Sequence, residues 1–241
     1  MLKKLVSRRW LPLSILVLVG VIVLGSLGVW QVRRLGERRA LNADIQARLA
    51  MPVIELTDAL ADPAALNYRH VRVHGTFDPS QEIVLRNQAL HDEPGVHLLT
   101  PLRLAGRDEA VLIDRGWIPY DKPRSQYPVQ GEATIEGIAR MTQTRQGWLS
   151  PQDPQATAAG PRVESWYRVD TARIQPQVPY PLLPLFVEQT SGFVDGAMPA
   201  ADVEIDLSDG PHLSYAIQWF AFATILLVGY AAYVRSRGAE A

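Results

Sequence analysis

The chain has 241 residues, with 24 basic and 25 acidic side chains, 47% hydrophobic residues and no cysteine. The balanced charge argues against a nucleic-acid-binding protein, which needs a basic surface to neutralise phosphates. The absence of cysteine excludes disulfides, thiolate metal sites and cysteine nucleophiles.

The first element is an uncharged apolar stretch at residues 11–30, LPLSILVLVGVIVLGSLGVW. As a helix it would reach roughly 30 Å, the thickness of the hydrocarbon core of a bilayer. A cleaved signal peptide is the main alternative, because Lys3, Lys4, Arg8 and Arg9 precede the stretch and Ser26 and Gly28 resemble a cleavage site. The stretch is longer than the roughly 7–15 residues of a signal-peptide core, and Trp30 at its end is typical of an interfacial anchor. We therefore predict an uncleaved transmembrane helix at 11–30, after a cytoplasmic N-terminus at 1–10.

Residues 31–211 are predicted to form an extracytoplasmic, β-rich α+β domain that begins with a helical stalk. In residues 33–50, Leu41, Ile45 and Leu49 recur every four residues, as on one face of an amphipathic helix. A short helical piece at 55–62, ended by Pro63, is expected next. Apolar and aromatic runs between turn residues predict strands at 68–77, 82–86, 96–104, 110–118, 133–140, 166–169 and 185–189. The composition of residues 141–165 indicates a long surface loop.

A second uncharged stretch predicts a transmembrane helix at 212–234, followed by a cytoplasmic tail at 235–241. Basic residues flank the first helix on both sides and do not decide its orientation. Between Arg173 and Arg235 there is no Lys or Arg, whereas Arg235 and Arg237 directly follow the second helix. The positive-inside rule therefore places both termini in the cytoplasm and the central domain outside. No Arg- and Ser-rich transit segment precedes residue 11, so we expect a multi-pass protein of the bacterial plasma (inner) membrane.

The central domain carries no recognisable catalytic motif, because hydrolase, zinc-protease, nucleotide-binding and CxxC patterns are all missing. His70 and His74 resemble a metal pair, but four residues of a strand span about 13 Å, so a polar sheet face is the better interpretation. Asp114 beside Arg115, and Asp170 near Arg168, could act as acids or bases. A structural Asp–Arg pair at a strand end is the more common arrangement.

His212 differs from the other histidines because it lies at the extracytoplasmic mouth of the second helix. In a helix, Tyr215 and Trp219 would share its face. A neutral imidazole above aromatic side chains could ligate a haem iron; alternatively, the ring could suit the headgroup region or cap the helix. Gly25 and Gly28 would allow the first helix to pack closely against the second.

Taken in order, several short segments resemble the surfeit locus protein 1 family of cytochrome c oxidase assembly factors. The resemblance covers nearly the whole chain and rests on LGVWQVRR (27–34), YRHVRVHGTFDP (68–79), GVHLLTPL (95–102), VLIDRGWIP (111–119), WYRVD (166–170) and HLSYAIQWF (212–220). One departure is that Asp209-Gly210-Pro211 precedes His212, where the family usually has Asn. Gly116 matches a family glycine and suggests a backbone bend that other residues resist.

The resemblance implies a non-enzymatic role, in which the protein helps haem a reach subunit I of an a-type haem–copper oxidase or stabilises that subunit. Expected partners are subunit I, membrane lipid and haem a synthase. The family also implies His212 as the ligand of the haem iron. From their positions on the two helices, we expect Tyr215 and Trp219 to line the ring, with Trp30 and Gln31 opposite at the end of the first helix. A scaffold that binds the subunit without haem, and a membrane-tethered hydrolase, remain the alternatives.

Overall fold

The computed structural model describes residues 10–58, 60–129, 131–145, 147–158, 160–192, 198–200, 203 and 205–237. In chain order the helices are α1 (Leu11–Leu49), α2 (Thr171–Ile174) and α3 (His212–Arg237). The strands are β1 (Ile54–Glu55), β2 (His70–Phe77), β3 (Ile83–Leu90), β4 (Glu93–Leu104), β5 (Ala110–Pro119), β6 (Glu132–Met141), β7 (Ser165–Trp166) and β8 (Leu182–Gln189). Two units result: one contains the described residues up to Ile45 and from Asp206 onward, and the other contains Gln46–Ile205.

The first unit consists mainly of α1 and α3, which are both long and apolar enough to cross a membrane. Little of either apolar segment is buried against the rest of the chain. The predicted stalk is part of α1, which runs without a break to Leu49. Its buried face differs from the prediction, because Leu41 is 49% exposed while Asn42 and Ile45 are buried. The basic residues at positions 3, 4, 8 and 9 lie outside the described residues.

The second unit is a β-barrel with an extension. β2 pairs with β6, β6 with β8, β8 with β5 and β5 with β4, and β4 returns to β2 to close the ring. The β5–β8 pairing is parallel and the others in the ring are antiparallel. β3 and then β7 continue outward from β4, while β1 pairs with β2. The predicted β-rich domain between two apolar helices is therefore confirmed.

Two hydrophobic clusters lie on the two faces of the same strands. Successive side chains of a strand point to opposite faces, so β5 sends Val111 and Ile113 to the first cluster and Leu112 to the second. β8 likewise contributes Val187 to the first cluster and Phe186 to the second. Because β5 is covered on both faces, residues 110–118 are all buried. This explains why the strand begins with a continuous apolar run, Ala110–Ile113, rather than with alternating polar and apolar residues.

The strand predictions hold except at their ends, and two connecting segments differ. The expected helical piece at 55–62 is instead β1 followed by a short 3-10 turn at Leu56–Asp58. Pro63 begins the next 3-10 turn, capped by Asp62, because proline suits the first position of a helix. The described residues of 142–164 contain no helix or strand, as predicted, but Asp153 and Ala156 are buried and Ala156 joins the second cluster.

Gly116 lies at an irregularity in the β4–β5 pairing. His97 pairs with Trp117 and Leu99 with Asp114, so the register shifts by one residue between them. Gly116 has a φ of 102°, which side-chain-bearing residues rarely adopt. The predicted backbone bend is confirmed, and it is a β-bulge that turns Asp114 toward its neighbours on β4.

Candidate functional site

His212 and Gln31 are in direct contact in the helical unit. His212 is the first residue of α3, and its Nδ1 lies 2.8 Å from Oε1 of Gln31 on α1. An amide oxygen only accepts hydrogen bonds, so Nδ1 carries the proton and donates it. In the neutral tautomer with the proton on Nδ1, the Nε2 atom has a lone pair for a ligand.

Gly210 leaves space beside the Nε2 edge of the ring. A Cβ atom at this position would lie 3.8 Å from Nε2 and 3.6 Å from Cδ2 of His212. Gly210 also has a φ of 65°, the left-handed conformation that glycine adopts at no steric cost. The Asp-Gly-Pro sequence that departs from the family pattern thus forms a turn in which residue 210 places no side-chain carbon against this edge of the imidazole.

The segment that leads into His212 is held on α1 by hydrogen bonds. Arg38 donates to the carbonyl oxygens of Asp206 (2.8 Å) and Ser208 (3.1 Å), and Asn42 donates to those of Leu207 (2.7 Å) and Ser208 (3.1 Å). Arg39 pairs with the carboxylate of Asp209 at 2.8 Å. We call Arg38, Arg39 and Asn42 the clamp. It fixes the chain three to six residues before His212, and therefore limits where the ring can lie.

The other predicted site residues are also on α1 and α3. Tyr215 is 45% exposed on α3, and Trp219 stacks edge-on against Phe222 with ring centroids 6.2 Å apart. Trp30 is 52% exposed and lines a groove on α1 with Gly25, Val29 and Arg33. At about 100° per residue this groove is on the opposite side of α1 from Gln31.

The two predicted packing glycines also differ from each other. A Cβ on Gly28 would come within 2.6 Å of the Phe220 ring, whereas a Cβ on Gly25 would meet nothing within 4 Å. Gly28 therefore allows close approach of α1 and α3, and the prediction for Gly25 is wrong.

A single histidine such as His212 could serve as an axial ligand of a haem. Among the described residues there is no group of three or more His, Asp or Glu side chains that could hold a metal. A haem iron needs only an axial ligand from the protein, and the second hydrogen bond of the imidazole orients that ligand. A single histidine held by Gln31 meets this requirement.

His74 and the Asp–Arg motifs of the domain have side-chain partners that the sequence did not predict. On the polar face expected for β2, the His74 side chain contacts Thr134 and Glu55. Arg72, on the same face, binds Glu136. In the barrel, however, Arg115 pairs with Glu82 at 2.9 Å, not with Asp114. Neighbouring strand residues point to opposite faces, so an Asp–Arg dipeptide cannot pair with itself.

The two residues of the other motif, Arg168 and Asp170, also bind different partners. Arg168 pairs with Asp153 at 2.7 Å, and Asp170 caps the N-terminus of α2 by accepting from the Arg173 amide. Both side chains therefore act locally in folding the segment that covers the second hydrophobic cluster.

Sequence reasoning missed a polar cavity of about 330 Å³ in the barrel unit. His97 Nδ1 lies 2.8 Å from Oδ2 of Asp114, and Arg140 Nη1 lies 2.9 Å from Oε2 of Glu188. Burial raises the pKa of Glu188, Arg140 lowers it, and Asp114 raises it further. The sequence contained one signal for this cavity. Side chains alternate between the two faces of β5 and β8, and Asp114 and Glu188 each lie two residues after a buried residue of the second cluster, so both point to the face of that cluster.

Known proteins identify the family. The model of the SURF1 family matches residues 18–224, which includes most of α1, the whole barrel unit and the first half of α3. The chain belongs to the SURF1 family. A SURF1-like protein of Monosiga brevicollis is 28% identical over 90% of this chain and 85% of its own length. The surfeit locus protein 1 of Homo sapiens is 24% identical over 87% and 73%, respectively. A bacterial member, the SURF1-like protein of Rickettsia felis, is 26% identical over 92% of this chain and 97% of its own.

Proposed function

We propose that the protein is a membrane-anchored, non-enzymatic assembly factor of an a-type haem–copper oxidase, and that it holds haem a for delivery to subunit I. In this proposal α1 and α3 span the plasma membrane of a bacterium, both termini are cytoplasmic, and the barrel unit lies outside. Subunit I is the main partner and haem a synthase the source of the cargo.

The observation that supports the haem role is the 2.8 Å contact between His212 Nδ1 and Gln31 Oε1. It places the proton on Nδ1 and leaves Nε2 as the ligand atom, next to the space that Gly210 leaves open. Apolar helix faces on either side would contact the ring of a hydrophobic cofactor, as haem pockets require. Family membership supports the assembly role in general terms.

The test is to co-express the full chain with the enzymes of haem a synthesis, purify it in detergent, and record its absorption spectrum. We expect a Soret band that His212→Ala abolishes. His212→Met should retain a band at a shifted wavelength, because a thioether is also an axial ligand. His91→Asn is the matched control, since His91 is an exposed residue of the barrel unit with a left-handed φ that Asn tolerates.

Two results would contradict parts of the proposal. A wild-type protein without a Soret band, or a band unchanged in His212→Ala, would exclude His212 as the ligand. If His212→Ala also left the yield of assembled oxidase intact, the scaffold alternative would be favoured, in which the protein binds subunit I without haem.

A further inference from the structure

Two adjacent apolar side chains are exposed in the long loop that connects β6 to β7. Trp148 is 83% exposed and Leu149 is 78% exposed, and both lie in a turn. Among the residues that the structure describes, no other large apolar side chain is as exposed, including those of α1 and α3. Single exposed apolar residues are common on protein surfaces. A neighbouring pair with so little contact to its own chain is a candidate contact surface, and we call it the apolar pair.

Arg145 holds this turn in shape. Its Nη2 donates to the carbonyl oxygen of Trp148 at 2.7 Å, and its Nε donates to the carbonyl oxygen of Ser150 at 3.1 Å. Both bonds are made to backbone atoms, so they fix the turn without covering the side chains of the apolar pair. The exposure of Trp148 and Leu149 is therefore a property of the folded turn.

The loop is attached to the rest of the barrel unit on both sides of the turn. The Gln143 amide donates to the Val169 carbonyl at 2.9 Å, and the Gln143 side-chain oxygen accepts from the Val169 amide at 3.3 Å. On the other side of the turn, Asp153 is buried and accepts from the Tyr167 amide at 2.6 Å. Both attachments are made to the short segment 167–169, and the apolar pair lies about midway between them along the chain.

The size of the apolar pair argues for a lipid surface as its partner. The two side chains offer at most roughly 400 Å², whereas a stable protein–protein interface needs about 800 Å² from each partner. Insertion of two side chains among lipid headgroups requires no matching surface. The barrel unit is joined at both ends to helices that are long and apolar enough to cross a membrane, which raises the effective concentration of lipid around its loops.

The composition of the loop also fits a bilayer surface. Tryptophan is enriched at membrane–water interfaces, because its ring is apolar while its N–H group can still reach water or a headgroup. In the sequence from residue 142 to residue 152, Arg145 is the only charged side chain and there is no acid. Anionic lipid phosphates would therefore not be repelled by this segment.

We propose that Trp148 and Leu149 insert into the interfacial region of the bilayer that α1 and α3 span, and give the barrel unit a further contact with the membrane. The proposal rests on the membrane anchoring in the proposed function, and it is independent of haem and of His212. Such a contact would keep the barrel unit at the lipid surface, beside a membrane-embedded partner.

The test uses the full chain with single spin labels, since the protein has no native cysteine. The labelled protein is reconstituted into vesicles of phosphatidylcholine with about one quarter phosphatidylglycerol. Collisions of the label with oxygen, which concentrates in lipid, are compared with collisions with a water-soluble nickel chelate. We expect the label at Leu149→Cys to collide mainly with oxygen. The label at Tyr120→Cys, a 74% exposed position of the same unit, should collide mainly with the chelate.

A substitution of Trp148 separates insertion of the apolar pair from an effect of the label itself. In a Trp148→Ser background, the label at Leu149→Cys should lose its preference for oxygen, because the larger apolar side chain is gone. Gln152→Ser, at another exposed position of the same loop, is the matched control and should retain the preference. The thermal midpoints of both variants report that the barrel unit is folded.

Labels at Leu16→Cys and Ile225→Cys, exposed apolar positions of α1 and α3, test the membrane anchoring separately. If these labels are in lipid while the label at Leu149→Cys stays in water, the anchoring stands and the loop proposal is overturned. If all three are in water, the anchoring itself is wrong.

Two further results would overturn the loop proposal. One is a preference for oxygen that Trp148→Ser leaves unchanged, or that Tyr120→Cys shows equally. The other is a label at Leu149→Cys that leaves water only after purified subunit I is added, because this would identify a protein rather than lipid as the partner of the apolar pair.

Discussion

Glu188 illustrates how burial acts on a single side chain. Its pKa is raised mainly by desolvation and is only partly restored by Arg140. The native state therefore keeps a proton on Glu188 at pH values where the unfolded chain has lost it. The resulting contribution to stability is fully present below the unfolded pKa and is lost as the pH rises through the folded pKa.

Replacing Glu188 should therefore change how stability depends on pH. We expect the wild type to lose more thermal stability than Glu188→Gln as the pH rises from about 4.5, the ordinary pKa of a Glu carboxyl, to neutrality, because the amide does not titrate. The measurement is the thermal midpoint of both proteins across that range. Glu132→Gln, at an exposed acid of β6, should follow the wild type. Parallel curves for the wild type and Glu188→Gln would contradict the assignment.

Between the two long helices, small residues decide how closely the elements pack. We predict that Gly28→Leu increases the distance between the axes of α1 and α3 by roughly 2 Å, a change within the spread of interaxial distances of packed helices. The reason is that Phe220 occupies the space that the leucine side chain needs. Gly25→Leu, on the open side of α1, should not change the spacing. The absence of native cysteine allows spin labels at Leu16→Cys and Ile225→Cys, both exposed positions, and their distance reports the change. Equal spacing in both leucine variants would contradict this packing.

The clamp also affects how the elements are held together, because it joins the stalk part of α1 to the chain that enters α3. Asn42→Leu removes two hydrogen bonds to carbonyl groups, each worth about 1 kcal/mol. We expect it to lower the fraction of protein with a Soret band while leaving the band position unchanged, since the ligand itself is intact. Arg34→Ala is the control, because Arg34 makes an exposed pair with Glu37 on its own helix. A full band in Asn42→Leu would show that the clamp does not position His212.

At the scale of the whole molecule, the arrangement of the chain in the membrane is the main prediction. His91→Cys in the barrel unit should react with a membrane-impermeant maleimide in intact spheroplasts. Ser236→Cys, at the exposed end of α3, should react only after lysis. The physical reason is the charge asymmetry around α3, where Arg235 and Arg237 follow the helix and acidic residues precede it. Labelling of Ser236→Cys in intact spheroplasts would contradict this orientation.

Local patterns in the sequence were sufficient for the two long helices, for the barrel strands and for part of the helical site. Two long uncharged stretches predict α1 and α3, and alternating or continuous apolar runs predict the barrel strands, because these signals depend only on neighbouring residues. His212 could be singled out by its position at a helix mouth. Its partner Gln31 lies 181 residues away in sequence, so only the structure could show their contact. The buried face of α1 was misjudged since polar Gln31 and Asn42 interrupt the apolar periodicity there.

The sequence alone determined that the chain has two membrane-compatible helices around a β-rich domain, since length, charge and periodicity are properties of short segments. Only the tertiary structure decided which charges pair. The partners His97 and Asp114 are 17 residues apart, and Arg140 and Glu188 are 48 apart. They meet because β4 pairs with β5 and β6 pairs with β8, and because a bulge at Gly116 shifts the β4–β5 register. Strand order and register depend on the whole set of pairings, and no local pattern carries that information.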